Sequence, residues 1–237
     1  MEIRLTPRER IIAALKFEPY EGPVPHYELE FQLTEEVFGR RALNRDLLME
    51  IAPEKRRDAL VVLDEAYVEY YGESSVGLTE THPNLLVLRS FSKAFSLAGM
   101  RCGYAIAQPA VLDVLTRVLA PWAVSGLTQV AALAAMEDLP YMRETVVECG
   151  RARQSIIDGL KELGFVAYNT QANFIIWQVR EPARAVQALA ARDVYVSNKD
   201  SVPQMKGCLR VTVGNSAQSE QFLGIVQELR AKGLLEP

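Results

Sequence analysis

Cysteine and histidine are scarce in this 237-residue chain, and neither falls in a pattern that binds metal. The three cysteines, Cys102, Cys149 and Cys208, lie far apart, lack CxxC spacing and are odd in number. That excludes a disulfide framework and a zinc ribbon. The two histidines, His26 and His82, have no partner at metal-ligand spacing, so no metal site is expected. Charge of one sign is not in excess: 26 Lys+Arg stand against 30 Asp+Glu, for a net charge of −4. The balance is even along the chain, with 10 basic against 11 acidic residues up to Arg57 and 16 against 19 beyond it. No basic stripe is left for a nucleic-acid backbone. Long apolar runs are also missing, and the amino terminus MEIRLTPRER has no apolar core, so neither a membrane span nor a signal peptide is expected. What is present is a hydrophobic fraction of 49% and a charged fraction of 24%, enough for an ordinary folded core in a reducing, cytoplasmic setting.

The organisation changes near Arg57. Before it, Thr6 and Glu9 form a T-x-x-E capping box, with Pro7 at the first helical position and Ile11, Ile12 and Leu15 as an apolar stripe. A breaker-rich stretch from Glu18 to Pro23 follows, then a second helical pattern over about 33–51 that Pro53 closes. After the charged seam Arg56-Arg57-Asp58, compact apolar runs take over at Ala59–Leu63, Leu85–Leu88 and Cys102–Ala107. Such runs read as strands buried on both faces of a mainly parallel sheet. Helical patterns alternate with them at 110–119, 127–137 and 141–163, the last stopping at Gly164 as a glycine cap requires. Beyond it come strand 174–179, helix 183–192, strands 194–197 and 209–213, and helix 216–232, a small α+β lobe. The expected class is α/β, with a helical N-terminal segment at 1–57, a sheet-bearing domain at 58–150 and a small α+β domain at 151–237.

Three features cluster at strand ends, where open α/β sheets place their ligands. Val61-Val62-Leu63 runs into Asp64-Glu65-Ala66-Tyr67, giving a carboxylate and a phenol. Leu85–Leu88 runs into Ser90-Phe91-Ser92-Lys93, two hydroxyls beside a lysine. Arg101 stands just before the next strand. Taken singly each has an ordinary explanation: Asp64 as a turn residue, Ser90 and Ser92 in a solvated loop, Arg101 as a surface charge, Tyr67 as packing beside Tyr70 and Tyr71.

Taken together, and in order, they resemble the fold-type I pyridoxal-phosphate aminotransferases, most closely the histidinol-phosphate aminotransferase branch. The resemblance runs from Asp64-Glu65-Ala66-Tyr67 through Ser90–Tyr104, Pro121–Ser125 and Ala172-Asn173-Phe174 to Cys208–Gly214, covering about residues 58–231. It implies a truncated form of the family's large domain followed by the small lobe. It implies pyridoxal 5'-phosphate as cofactor, with Lys93 as the amine that forms a Schiff base and moves the substrate Cα proton. Asp64 would pair with the pyridinium nitrogen and Tyr67 would donate to the ring's phenolic oxygen. Ser90, Ser92 and Arg101 would hold the phosphate. Arg210, and Asn173 near it, would hold the substrate α-carboxylate. The implied partners are an amino acid, of the histidinol-phosphate or aromatic type, and 2-oxoglutarate, with a homodimer as the assembly.

The segment that precedes the Asp-Glu-Ala-Tyr strand in that family has no counterpart here. Residues 5–50 instead share a short motif, a capped helix and a turn, with the amino terminus of uroporphyrinogen decarboxylase-like proteins; 57 residues are too few for a barrel-type active site. Two readings follow for the chain: a transaminase working through Lys93, or a truncated or rearranged remnant that binds without turnover.

Overall fold

In the computed structural model the described residues are 28–29, 60–117, 119–120, 122–202 and 204–237. The helices expected at 7–16 and 33–51 lie outside them. The chain forms two compact units whose division falls between Asp138 and Leu139, with Glu69–Tyr71 counted in the second. That is upstream of the division expected at 150, because the long helix from Leu139 onward buries its apolar stripe in the C-terminal core.

The first unit holds a four-stranded sheet in the order β1-β2-β3-β4, made of β1 (Glu28–Leu29), β2 (Val61–Asp64), β3 (Leu85–Ser90) and β4 (Gly103–Ala107). β1 and β2 are parallel, as are β2 and β3, while β4 runs antiparallel to β3. β1 was not expected, since two residues are too few for an alternation pattern to register. It places Glu28 opposite Val62 and Leu29 opposite Leu63. Val61, Leu63, Leu85 and Val87 form this unit's buried cluster, with Val76, Leu78 and Ile106 packed against it. β2 and β3 thus match the expectation of buried apolar strands. β4 does not: Gly103 and Tyr104 are exposed and Ala105–Ala107 only half-buried, because β4 is the edge strand of this order. Helix α1 (Val68–Tyr71) follows β2, and α2 (Pro109–Thr116) and α3 (Gly126–Glu137) follow β4. Ser125 caps α3 by accepting the Thr128 N–H at 3.1 Å.

The second unit is an antiparallel sheet of order β5-β7-β6, from β5 (Phe174–Gln178), β6 (Ser197–Asn198) and β7 (Cys208–Thr212), with helices α4 (Leu139–Glu162), α5 (Pro182–Ala190) and α6 (Ser216–Ala231). α4 buries Cys149, Ala152, Ile156, Ile157 and Leu160 at helical spacing. It ends in a Schellman motif at Gly164 (φ 85°): Phe165 N–H bonds the Leu160 carbonyl at 3.0 Å and Gly164 N–H that of Lys161 at 2.9 Å. α6 begins with a capping box between Asn215 and Gln218. The strand expected at 194–197 shrinks to Ser197–Asn198. The reason is local: Val194 N–H is used to bond the Leu189 carbonyl and close α5. Cys208 is buried as expected of a core cysteine, whereas Cys102, expected in the core as well, is only half-buried at the approach to the edge strand β4; Cys149 is buried on α4, and all three are free thiols. Among the described residues no helix is long and apolar enough to cross a membrane.

Trp177 is fully buried in this second core, with Phe165 and Phe222 edge-on to it at centroid distances of 5.1 and 6.1 Å. Trp177→Ala is expected to lower the stability of the C-terminal unit by about 3–5 kcal/mol, the cost of a large apolar truncation with its residual cavity. Urea unfolding followed by circular dichroism measures it.

Candidate active site

Strand direction gathers the site. β2 and β3 are parallel, so their carboxyl ends point the same way, and antiparallel β4 begins at that same edge. The register pairs Asp64 with Leu88 and Ser90 with Gly103. Asp64, the Ser90–Lys93 turn and Arg101 therefore share one edge of one sheet. Backbone bonds hold the turn in place: Phe91 N–H reaches the Cys102 carbonyl at 3.1 Å, Leu97 N–H the Phe91 carbonyl at 2.9 Å, and Ser96 N–H the Lys93 carbonyl at 3.0 Å. The Lys93 Nζ lies 5.0 Å from the centre of the Tyr67 ring, within reach of a cation–π attraction. Phe91 and Ala94 are buried beneath the turn while Ser90, Ser92 and Lys93 are half-buried above it. Phe91 packs against Phe95 and Tyr104 at 5.1 and 5.6 Å.

Each polar candidate also makes a short-range bond of its own. Asp64 Oδ1 accepts the Ala66 N–H at 2.9 Å, Ser90 Oγ accepts the Ser92 N–H at 3.0 Å, and Arg101 Nη1 donates to the Ala98 carbonyl at 2.9 Å. The turn-forming explanations of these residues are thus real, and they aim the groups without exhausting them. A serine oxygen that accepts keeps its own O–H to donate, and a guanidinium has five N–H groups. Arg101 takes a left-handed backbone (φ 52°) at the end of the Ala98–Met100 helical turn, and its side chain is exposed.

Asn173 and Arg210 belong to the second unit. Asn173 precedes β5, and its carbonyl accepts the Val213 N–H at 2.8 Å. Arg210 pairs with Ile176 across β5 and β7, and its guanidinium lies 4.1 Å from the centre of the Phe174 ring. Its Nε is buried without a hydrogen-bond partner. An unsatisfied buried donor is costly, and an incoming carboxylate oxygen would relieve it.

Two groups of supporting residues escaped sequence reasoning. Arg153 on α4 donates to the Gln171 and Ala172 carbonyls at 2.8 and 3.0 Å, and Thr170 Oγ1 accepts the Ala172 N–H at 3.1 Å, so the turn before Asn173 is anchored from the helix. Burial holds the Arg153 guanidinium below its ordinary pKa, offset in part by Cys149 and Tyr70. No local pattern marks such a residue. The other group is Glu65, Ser74, Ser75 and Arg89. Glu65 is 7% exposed and accepts from Arg89 Nε at 2.9 Å, Ser74 Oγ at 2.9 Å and Ser75 N–H at 2.5 Å. Its signal was present: opposite charges stand directly beside Asp64 and Ser90.

Comparison with known proteins bears on what this edge is. The model of the family described as aminotransferase class I and II matches residues 41–226. The chain belongs to that family. The match begins upstream of Arg57, ahead of the resemblance read from residue 58. A curated histidinol-phosphate aminotransferase from Pectobacterium carotovorum is 32% identical over 192 residues, spanning 78% of this chain and 53% of the relative. The chain thus spans about half the length of the curated relatives it matches. Among solved structures, the histidinol-phosphate aminotransferase of Clostridium acetobutylicum superposes with a TM-score of 0.73 at 20% identity, covering 81% of this chain and 60% of that one. The histidinol-phosphate aminotransferase of Sinorhizobium meliloti, solved in complex with pyridoxal-5'-phosphate, gives a TM-score of 0.67 at 23% identity over 77% of this chain and 52% of that one. These likenesses establish the α/β fold of the family. The donor set of this chain fits an aldehyde phosphate: an amine beside a ring, a carboxylate on the same edge, and two hydroxyls with a guanidinium at the ends of β3 and β4.

Gly103 shows how tightly the edge is built. A Cβ added there would stand 2.7 Å from the Arg89 carbonyl oxygen, a backbone atom that cannot swing away. Gly103→Ala is expected to force β3 and β4 apart at the Ser90 end and lower stability by about 1–3 kcal/mol, as overpacking does. Thermal unfolding of the purified variant measures the loss, and an unchanged melting temperature would contradict it.

Proposed function

We propose that this chain catalyses pyridoxal-phosphate-dependent transamination of an amino acid of the histidinol-phosphate or aromatic type with 2-oxoglutarate. The observation that carries the reading is the shared edge of β2, β3 and β4, with Asp64, Lys93 and Arg101 on it and the Lys93 amine over the Tyr67 ring. Family membership and the histidinol-phosphate names of the relatives support it.

Pyridoxal phosphate, when bound, supplies an electron-poor ring that stabilises negative charge at the substrate Cα. The protein's residues do the rest. Lys93 would hold the cofactor through its amine, and its Nζ would take the substrate Cα proton and return it. Asp64, a carboxylate at the edge, holds a proton on the ring nitrogen by charge. Tyr67 donates from its hydroxyl to the ring oxygen. Ser90, Ser92 and Arg101 would hold the phosphate, the hydroxyls by hydrogen bonds and the guanidinium by a charge-assisted pair. Arg210 orients the substrate through its α-carboxylate, aided by Asn173. The reading includes a homodimer in the cytoplasm.

A second reading is favoured by one fact, the chain's coverage of only 53% of its relative. In it the chain is a truncated or rearranged remnant of the family, without turnover, that acts as a binding or interaction protein if at all. Absorbance separates the possibilities. Adding pyridoxal phosphate to the purified chain is expected to produce a band near the edge of the visible range, absent in Lys93→Ala. Turnover of histidinol phosphate with 2-oxoglutarate, lost in the same variant, supports transamination; a Lys93-dependent band without turnover supports the binding protein. No band, or one that survives Lys93→Ala, contradicts transamination, and robust turnover by the purified chain contradicts the remnant.

A further inference from the structure

Each half of the Glu65 cluster is adjacent in sequence to a residue assigned to the cofactor. Glu65 follows Asp64, and Arg89 precedes Ser90. The parallel register that pairs Asp64 with Leu88 puts Glu65 opposite Arg89 one step further on, and Glu65 N–H bonds the Leu88 carbonyl at 2.8 Å. Pairing therefore continues past the last residue of β2, to the point where the site begins. Along extended chain, neighbouring side chains leave on opposite sides. The Glu65 and Arg89 side chains thus stand on the reverse of the positions that send Asp64 and Ser90 outward.

The contacts are more numerous than one ion pair needs. Arg89 Nε meets Glu65 Oε2 at 2.9 Å, with the two side chains 16% and 6% exposed. Ser74 Oγ donates to the same oxygen at 2.9 Å and accepts from Arg89 Nη2 at 2.7 Å, closing a triangle. The Ser75 N–H takes the other oxygen at 2.5 Å. Three separate stretches of chain, the end of β2, the 74–75 turn and the end of β3, are joined at one buried carboxylate. Apolar side chains of similar volume would hold those stretches together about as firmly. They would not specify how far β2 has advanced along β3, and a slip of one residue turns every side chain to the other face. A charge-assisted bond from Arg89 Nε to Glu65, with Ser74 bridging the Arg89 Nη2 to the same carboxylate oxygen, fixes that advance, because these donors and acceptors meet in one arrangement only.

We infer that the Glu65–Arg89 pair, with Ser74, is the positioning device of the cofactor edge: it sets β2 against β3 so that the Asp64 carboxylate and the Lys93 amine sit at one level. The inference rests on the reading of this edge as the cofactor site, and two readouts keep the two ideas apart. The first needs no cofactor. In Glu65→Gln and Arg89→Gln, hydrogen exchange at the Glu65 and Phe91 amides is expected to quicken by about tenfold or more, as local opening does, while amides of Leu85–Val87 and of β5 keep their wild-type rates. The second is the spectrum with pyridoxal phosphate. Both variants are expected to bind it about tenfold more weakly and with a displaced band, since a small misplacement of reacting groups is expensive. The double variant should be no worse than either single one, the mark of a shared interaction.

A pair that merely stabilises the fold predicts something different: exchange faster everywhere, and a band of unchanged position in whatever fraction is folded. That result, or wild-type exchange and wild-type binding in the folded variants, overturns the inference. Local exchange changes in a wild-type chain that binds no cofactor would leave the clamp standing and remove the functional reading instead. If neither glutamine variant folds, Ser74→Ala removes one donor from an exposed serine and is expected to move both readouts in the same direction by a smaller factor; no movement in that variant counts against the clamp.

Discussion

The antiparallel return of β4 along β3 is the constraint on which the first unit depends. Had the chain crossed over to lay β4 parallel, Arg101 would stand at the far edge from Asp64 and Lys93. Instead, Ser90 opposite Gly103 brings the arginine back to the carboxyl ends of β2 and β3. That reversal explains several otherwise separate choices of residue. Gly103 is there because a Cβ would meet the Arg89 carbonyl. Phe91 is buried so that the turn carrying Ser90, Ser92 and Lys93 sits on packed apolar surface and not on solvent. The backbone bond from Phe91 to the Cys102 carbonyl then sews the end of β3 to the approach of β4.

Polar groups at that edge are held twice over, by backbone pairing and by side-chain bonds. Asp64 and Ser90 each close a small turn through their own oxygen, which fixes where the group points. Behind them lies Glu65 with its three donors. Preorganisation of this kind matters for any chemistry that develops charge, since groups already in place need no rearrangement when the charge appears. In the second unit the same logic recurs in different materials. Arg153 fastens the turn before Asn173, and the Phe174 ring lies under Arg210, leaving a buried guanidinium nitrogen unmatched by any protein acceptor.

Much of this could be read from residues alone, and the parts that could not have physical reasons. β2 and β3 were legible because their runs are continuously apolar and one face of each, Val61 and Leu63, Leu85 and Val87, is buried. α4 was legible from its stripe and from Gly164, which forms the cap expected of it. The placement of Asp64, Lys93 and Arg101 at the ends of β2, β3 and β4 was legible because each follows or precedes an apolar run. β1 was invisible because two residues carry no period, and the strand expected at 194–197 starts only at Ser197 because Val194 spends its N–H on closing α5. Glu65 and Arg89 were passed over because opposite charges a strand apart look like solvated surface until the register places them face to face. The half-length match to the relatives bears on the whole enzyme's activity; it does not alter the local geometry of the edge.

The central claim is that Lys93 is the amine that meets the cofactor. Borohydride reduction of the purified chain with pyridoxal phosphate, followed by proteolysis and mass spectrometry, tests it directly. The account predicts a pyridoxyl adduct on the peptide bearing Lys93, at near-stoichiometric yield and low cofactor concentration. An adduct spread over exposed lysines such as Lys161, Lys206 and Lys232, with Lys93 unmodified, would contradict it.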